Sequence, residues 1–550
     1  MKFKYIRNLG ASAIFLGMMF ACEDLTVLNE NPNGSYPATV NPNLVISSVL
    51  TEASKTYVNL GYGIIGGVMQ HTQKDGWFSD HNNYDWANQS WSDGYYSVLE
   101  DNQLVYDRAV DLGLEFHQGV SLVVKGFMFG LITDLWGDAP YTNALKGDKG
   151  GEYLKPSFDS QETIYDGILA DLETANTLLS KAPNEYEGIS PDADVIYGGD
   201  ASAWRKLANS LALRYYMRIS GKKADVAKAG IEKIAGNPSQ YPIISSSDED
   251  AAMSFPGASA GTAWPNTTKF DASESNFSRI KMCATLLEKL QDLSDPRIGV
   301  WAAKVKIPLK VDATQPAGTN KIMEIDGKQY RVLSPDVVGT TSINTDPEYV
   351  GLPAGMSGLP FTYNFNPTNN QGQYNPHVSQ LADMYKAASG DMLLARWISA
   401  AEVHFILAEA GLKGWAVGDT KSHYEAAIQA SLESWGVDDD YDDYIAGADV
   451  AYKGTLDQIM EQKWIASWTA ATESWFDYRR TGLPALQAGP AGKRTQLPVR
   501  FYYMTNELLL NEANATSALE QIEVTNYSQA DGENSAWSKS WVLQGTGKPW

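Results

Sequence analysis

The sequence predicts a mainly helical protein, all-α in class apart from one minor β-hairpin. Three observations predict it. Apolar residues recur at steps of three and four through most of the chain. Several of these segments form neighbouring pairs joined by short turns. Period-two alternation of the strand type is confined to "NKIMEIDGKQYRVLS", with Asp326-Gly327 where its turn should fall.

From the N-terminus, residues 1–21 read as an export signal. Lys2, Lys4 and Arg7 make a basic end, and the apolar core from Ala11 to Phe20 is too short to span a bilayer. Met19-Phe20-Ala21 lead into Cys22, which resembles the cleavage box of bacterial lipoproteins, where the cysteine sulfur takes a lipid and becomes the mature N-terminus. Residues 22–41, with "NENPNGSYPATVNP", are rich in Asn, Pro and Gly and read as an extended tether. Residues 42–550 show no convincing linker and read as a single domain.

Within that domain the first helix is expected over 44–57. In "NQSWSDGYYSVLEDNQLVYDRAVDLG", Trp91, Tyr95, Val98, Leu99, Asn102, Val105 and Ala109 fall on one helical face. The next segment, "FHQGVSLVVKGFMFGLITDLWGDAPY", is apolar nearly all round. Lys125 and Asp134 interrupt it, so it reads as a helix buried in a bundle rather than in a membrane, and Gly137 and Pro140 stop it. Further helices are expected over 161–179, 202–220, 224–235, 279–292, 396–412, 421–434 and 455–475, with long loops over 236–278 and 300–395. The pair "RWISAAEVHFILAEAGLKG" and "HYEAAIQASLESWG" carries Ala400, Ala401, Ala408 and Ala426, which let two helices approach closely. That is the requirement of a tetratricopeptide-like helix-hairpin scaffold, although no regular repeat period survives.

Composition narrows the function. The net charge is -23, and removal of a signal bearing only positive charges makes it more negative. Such a surface repels phosphate backbones, so nucleic acid is excluded as a partner and strongly anionic polysaccharides are disfavoured. With Cys22 lipidated, Cys283 stands alone and no intrachain disulfide framework exists.

Several motifs resemble chemistry without its context. "GYGIIG", Gly61 to Gly66, spells a dinucleotide fingerprint but follows a helical pattern instead of a strand. The histidines show no pair at metal-ligand helical spacing, and His404 shares a face with Ala401 and Ala408, as a satisfied buried histidine does. In "DDDYDDY", Asp438, Asp440 and Asp442 alternate like calcium ligands. The sixth position is Asp443 where a Gly is needed and the twelfth is Asp449 where a Glu is needed, so a solvated acidic turn is expected. No nucleophile signature appears. A glycosidase carboxylate pair would meet only in space, and the chain has 66 acids from which to form one.

At "WIASWTAATESWFDYRRTGLPAL" a long amphipathic helix runs into Trp475-Phe476-Asp477-Tyr478-Arg479-Arg480-Thr481-Gly482. This resembles the C-terminal signature of the SusD/RagB family, surface lipoproteins of Bacteroidetes nutrient-uptake systems. "DLWGDAPY", "LSDPRI", "YVGLPAG", "AEVHFILAEA", "LPVRFYYMTNEL" and the closing "KPW" are similar to family segments and fall in the family's order. They read as fold determinants, with Asp477 ion-paired to Arg479 or Arg480. The resemblance implies a tetratricopeptide-like scaffold carrying an irregular ligand-binding half. It implies a non-catalytic protein that binds glycans or oligopeptides and delivers them to a SusC-like TonB-dependent outer-membrane barrel; the residues themselves point to no cofactor and no metal ligand set. It also implies a lipid on Cys22 in the outer membrane, with Glu23 and Asp24 resembling the acidic stretch that directs such lipoproteins to the cell exterior. A surface hydrolase with an unrecognised carboxylate pair is the alternative, and a purely gating member a third.

The densest cluster of aromatics and amides is "KDGWFSDHNNYDWANQSW". Flat rings stack on sugar faces while amides and carboxylates satisfy hydroxyls, and peptides suit the same groups. Trp77, Phe78, Asn83, Tyr84 and Trp86 are the candidate ligand-binding residues there. Trp264 and Phe270, in "FPGASAGTAWPNTTKF", supply a second candidate group.

Overall fold

The structure, a computed structural model, describes residues 39–550. The export segment, Cys22 and nearly all of the tether lie outside the described residues. The fold is mainly helical, and six of the helices named below start at a residue whose side chain caps them. Helix α1 (Pro42–Tyr62) has Pro42 at its first turn, and the Asn41 side chain accepts the Asn43 N–H. Helices α2 (Ser97–Leu112) and α3 (Glu115–Trp136) follow, ended by Gly113 and Gly137, whose positive φ angles of 70° and 101° turn the chain. Ser160 and Asp200 cap α4 (Gln161–Leu178) and α5 (Ala201–Arg218), and α6 (Ala224–Gly236) closes the first half. In the second half, α7 (Ala284–Asp292) is short. Ser399, Asp419 and Thr455 cap α8 (Ala400–Leu412), α9 (Thr420–Glu433) and α10 (Leu456–Ala466), and α11 (Ala471–Thr481) ends on Gly482 at φ 78°.

Consecutive helices pack most extensively, α3 on α4, α8 on α9 and α2 on α3, as helix hairpins do. Helix α3 is apolar and long enough to cross a membrane, yet 94% of its apolar window is buried inside the fold. Lys125 pairs with Asp171 at 2.8 Å, so the polar positions that argued against a span are used.

Four boundaries differ from the sequence expectation. Helix α2 begins only at Ser97, because Asp93 and Gly94 are non-helical, so Trp91 lies before the helix whose face it was expected to share. The segment expected as a helix over 279–292 opens as strand β3 (Ile280–Met282), antiparallel to β1 (Thr72–Lys74), and α7 begins only at Ala284. The one expected over 396–412 opens as β7 (Leu394–Ile398), paired with β2 (Ala251–Ser254). Partner strands distant in sequence decided both, since short apolar runs serve either state. The helix expected over 455–475 is two, α10 and α11, parted at Thr469 with φ 67°. The predicted hairpin forms as β5 (Asn320–Ile325) and β6 (Lys328–Leu333), joined through Asp326 and Gly327 in left-handed backbone, with β4 (Leu309–Val311) added parallel to β6. Gly61 of the fingerprint-like motif sits where α1 meets the α10–α11 break. A side chain there would lie 3.1 Å from the Thr469 carbonyl oxygen, so backbone approach accounts for the glycine.

A chain of buried charges ties the helices together. Glu402 accepts from Arg214 at 2.7 and 2.8 Å, Arg214 reaches Glu473 at 3.4 Å, and Glu473 also pairs with Arg218. Arg218 and Arg479 each lie 3.2 Å from an Asp134 oxygen. Beside them Lys463 and Arg480 hold Asp477 at 2.7 and 2.9 Å, and Arg480 bonds Glu409 at 2.6 Å. The expected partner of Asp477 is therefore Arg480, while Arg479 reaches back to α3. A cavity of about 40 Å³ between these groups, lined by Tyr57, Arg396, Glu402, Lys463 and Glu473, has room for a water or two.

Asp250, just before β2, is buried and accepts from Ala400 N–H at 2.8 Å and Ser434 Oγ at 3.3 Å. Burial pushes its pKa up to about 7 against the opposing pull of Arg396. A raised carboxyl pKa means the folded state holds its proton where the unfolded chain has lost it, so this stabilising contribution is present below pH ~4 and is lost as pH rises toward 7. Asp250→Asn should flatten the stability profile between those limits, as urea denaturation at each pH would read; an unchanged slope would assign the pH dependence elsewhere.

Cys283 is free and buried, and burial pushes its thiol up to about 12, which leaves it unreactive. The acidic run expected as a solvated turn forms a single turn at Asp438–Asp440 and a short helix, Tyr441–Ile445. Asp442 and Asp443 fall in that helix's first turn, where the dipole favours them. His404 is half-buried, not buried, and its Nδ1 meets His423 Nδ1 at 3.1 Å across the α8–α9 hairpin. Among the described residues no group of three or more metal-ligating side chains forms.

Candidate functional site

The two aromatic clusters, nearly two hundred residues apart in sequence, are brought to one place by the pairing of β1 with β3. The chain leaves β1 at Lys74, and Asp75 N–H bonds the Arg279 carbonyl at 2.9 Å, so the loop that follows lies against the residues preceding β3. Asn82 clamps the loop, accepting from Lys74 N–H at 2.9 Å and donating to the Lys74 carbonyl at 2.8 Å. His81 is buried beside Thr72, 3.1 Å from its Oγ1, and burial pushes its pKa well down, so the ring is neutral and structural. Asp75 pairs with Lys281 at 3.3 Å and accepts from Gly372 N–H at 2.9 Å.

At the tip of this loop Trp77 is 67% exposed in left-handed backbone, φ 48°, a conformation that a bulky residue keeps only when its surroundings impose it. One ring face carries the Arg279 guanidinium, 3.7 Å from the centroid. The most exposed tryptophan-bearing surface is thus a ring fixed in place, with little conformational entropy left to lose on stacking.

A groove of about 260 Å³ opens nearby. Helix α1 contributes Lys55, Val58 and Asn59, and the loop between β2 and β3 contributes Asn266, Phe270 and Asn276. Asn276 connects the groove to Trp77, because its Oδ1 is the hydrogen-bond acceptor of Arg279 Nη1 at 3.4 Å. Phe270 is 43% exposed. The volume lies below the roughly 300–1,000 Å³ of enclosed small-molecule sites, so the groove suits one stretch of an extended chain. Asp271, the acid among its lining residues, accepts from Ser273 Oγ at 2.6 Å and Asn276 N–H at 3.0 Å, and these bonds hold its pKa below the ordinary range. A general acid needs the opposite shift.

The candidate residues divide accordingly. Trp77 and Phe270 are exposed, and Phe78 and Asn83 are half-buried. Tyr84, Trp86 and Trp264 are core residues at 0%, 4% and 1% exposure, which corrects the expectation that their faces meet ligand. Trp86 packs edge-on against Trp475 and Phe501, and Trp264 packs among Tyr62, Phe255 and Tyr385. Tyr84 and Trp86 border a different cleft, of about 190 Å³, shared with Lys493, Tyr502, Asp531 and Trp537. Composition located the segments and could not separate rings that plug the fold from rings that leave it. Arg279 and Asn276, in "ESNFSRIKM", carried no sequence signal, since only the β1–β3 pairing sets them beside Trp77.

A family model described as SusD-like, starch-binding and associating with the outer membrane, matches residues 35–504. Among solved structures, an outer-membrane protein of Bacteroides vulgatus, provisionally assigned to nutrient binding, is 24% identical. The match covers 92% of this chain and 100% of that one, with a TM-score of 0.71. A SusD homologue of Bacteroides fragilis is 22% identical over 92% of this chain and 100% of its own, at 0.70. A chitin-binding protein is 21% identical over 92% and 99%, at 0.68. No curated protein matches the chain at a significant level.

Proposed function

The chain belongs to the SusD-like family of nutrient-binding outer-membrane proteins, and from that premise we propose that it captures glycans or oligopeptides in the groove between Trp77 and Phe270 and delivers them to a SusC-like TonB-dependent barrel. One observation carries the site: exposed Phe270 lines a polar groove, and exposed Trp77, immobilised by a guanidinium, is joined to its wall through Arg279 and Asn276, on a scaffold whose other large aromatics are mostly buried. Lipidation at Cys22 and a tether to residue 41 would hold the protein at the cell exterior while it swings over its barrel. Similarity to a chitin-binding protein supports a glycan ligand. The binding reading is supported by the family, and Asp271, the acid of the groove, is held in its ionised form by Ser273 and Asn276 and so is unsuited to act as a general acid.

The test is calorimetric titration of the full-length protein in detergent against neutral oligosaccharides and mixed oligopeptides, followed by mass spectrometry. Trp77→Ala and Phe270→Ala should each weaken binding about ten-fold, the scale of one lost stacking contact, with folding unchanged. New products would make the protein a hydrolase. Unchanged affinity in both variants would move the site to the cleft beside Trp86.

A further inference from the structure

Beside the groove lies positive charge that the chain does not neutralise. Arg279 is 7% exposed; its guanidinium stacks on the Trp77 ring, lies against Gly372, and makes a 3.4 Å bond to Asn276. Its Nε is buried with no partner, and no carboxylate forms an ion pair with it among the described residues. Asp75 and Asp271 are close enough to feel its charge, but Asp75 is committed to Lys281, and Asp271 to Ser273 Oγ and the Asn276 N–H. Half-buried Lys74 adds a second cation whose Nζ has neither hydrogen bond nor ion pair among the described residues. Burial pushes its pKa down, Asp80 opposes this, and repulsion from Arg279 adds to it.

Most other arginines taken into the fold are neutralised by a carboxylate, and the exception, Arg500, spends its donors on the Trp136, Glu533 and Ser535 carbonyls. Arg214, Arg218, Arg297, Arg479 and Arg480 each pair with a carboxylate. Stacking on one ring does not offset the desolvation of a guanidinium, so a missing anion at Arg279 is a cost the fold carries at this place. The net charge of -23 does not override this, because charges farther than about 8 Å are screened at physiological salt whereas contact pairs in a groove are not.

We propose that Arg279, assisted by Lys74, is a receptor for a carboxylate of the captured nutrient, and that this nutrient is a glycan bearing uronic-acid residues. A glycan bearing uronic acids supplies both required parts, a sugar ring for the exposed face of Trp77 and, from a neighbouring residue reaching past the ring edge on the groove side, a carboxylate for the guanidinium behind it. The carboxylate replaces the long contact to Asn276 at the groove wall. Sparse acidic residues fit this arrangement, while a dense polyanion meets the acidic surface beyond it. The assignment rests on the nutrient-binding reading.

The experiment titrates full-length protein in detergent with oligosaccharides bearing sparse acids, namely glucuronate-decorated xylan and largely methyl-esterified galacturonan. Each is set beside its fully methyl-esterified form, and a free pentapeptide is set beside its C-terminal amide. At least one acidic glycan should bind ten-fold or more tightly than its ester, with the preference shrinking between 50 and 500 mM salt. Arg279→Gln should abolish the preference while leaving ester binding in place, and Arg279→Lys should keep part of it. Equal binding of acids and esters, or a preference that survives Arg279→Gln, overturns the proposal and leaves nutrient binding standing. A carboxylate preference confined to the peptide overturns the uronate assignment. Silence toward every glycan and peptide overturns the nutrient-binding reading and this proposal with it. The salt dependence needs no variant, so misfolding of Arg279→Gln would not shelter the idea.

Discussion

Arg480→Ala should cost about 3–5 kcal/mol of stability, read as a lower urea midpoint with an unchanged slope. The side chain bonds Glu409 at 2.6 Å and Asp477 at 2.9 Å, joining α11 to α8, and Glu409 is 0% exposed. Its removal leaves Glu409 with Lys413 alone, at 3.5 Å and from the helix's own next turn. An uncompensated buried carboxylate is the expensive outcome, more so than losing one surface pair, which contributes about 1 kcal/mol or less.

The same substitution should change the acid limb. Burial acts to raise the pKa of Asp477, but Lys463 and Arg480 outweigh it and hold the carboxyl far below its ordinary range. A depressed carboxyl pKa contributes stability that is present above the unfolded value near 4 and is lost as pH falls below it. With Arg480 gone, less depression remains, so less stability is left to lose and the acid-dependent slope below pH ~4 should be shallower. A loss under about 1 kcal/mol with an unaltered acid limb would mean that water reaches this network and screens it.

Gly67→Ala should destabilise the fold by about 2–3 kcal/mol and weaken ligand binding at the same time. An added Cβ would lie 2.3 Å from the His81 carbonyl oxygen and 2.6 Å from its ring. A carbonyl cannot yield as a flexible side-chain end does. The short helix Ser79–Asn82 must move, and Trp77 moves with it. Gly236→Ala supplies the contrast, since no atom lies within 4 Å of its added Cβ and its φ is not positive. Helix propensity there favours Ala by up to about 1 kcal/mol. Melting curves and calorimetry of the two variants would separate the cases. If Gly67→Ala melted lower yet bound ligand normally, the loop would be independent of its support.

The helices most legible in the sequence were those whose caps and periodicity agreed. Ser160, Asp200 and Asp419 begin α4, α5 and α9 within a residue of the expected starts, because a capping oxygen satisfies N–H groups of its own helix and needs nothing from elsewhere. The hairpin at Asp326-Gly327 is equally local, since its turn requires left-handed backbone at both residues. Strands β3 and β7 escaped notice for the opposite reason. Each is too short to show a period, and each exists through a partner about 140 to 210 residues away in sequence.

The candidate site divides along the same line. Ring chemistry was legible, so Trp77 and Phe270 could be nominated from their neighbours in sequence. Burial was not, and Tyr84, Trp86 and Trp264 carry the same rings into the core. The sequence by itself determined the helical class, the order of the hairpins, the turn of the β-ribbon and the family resemblance, all of which depend on contacts between near neighbours or on the spelling of motifs. Only the tertiary structure decided which aromatics face solvent, that Arg480 rather than Arg479 pairs with Asp477, and that unpaired Arg279 lies against Trp77. Those outcomes depend on the long-range packing of β1 against β3 and of α11 against α8 and α3, where desolvation and close contact act between groups that no local pattern connects.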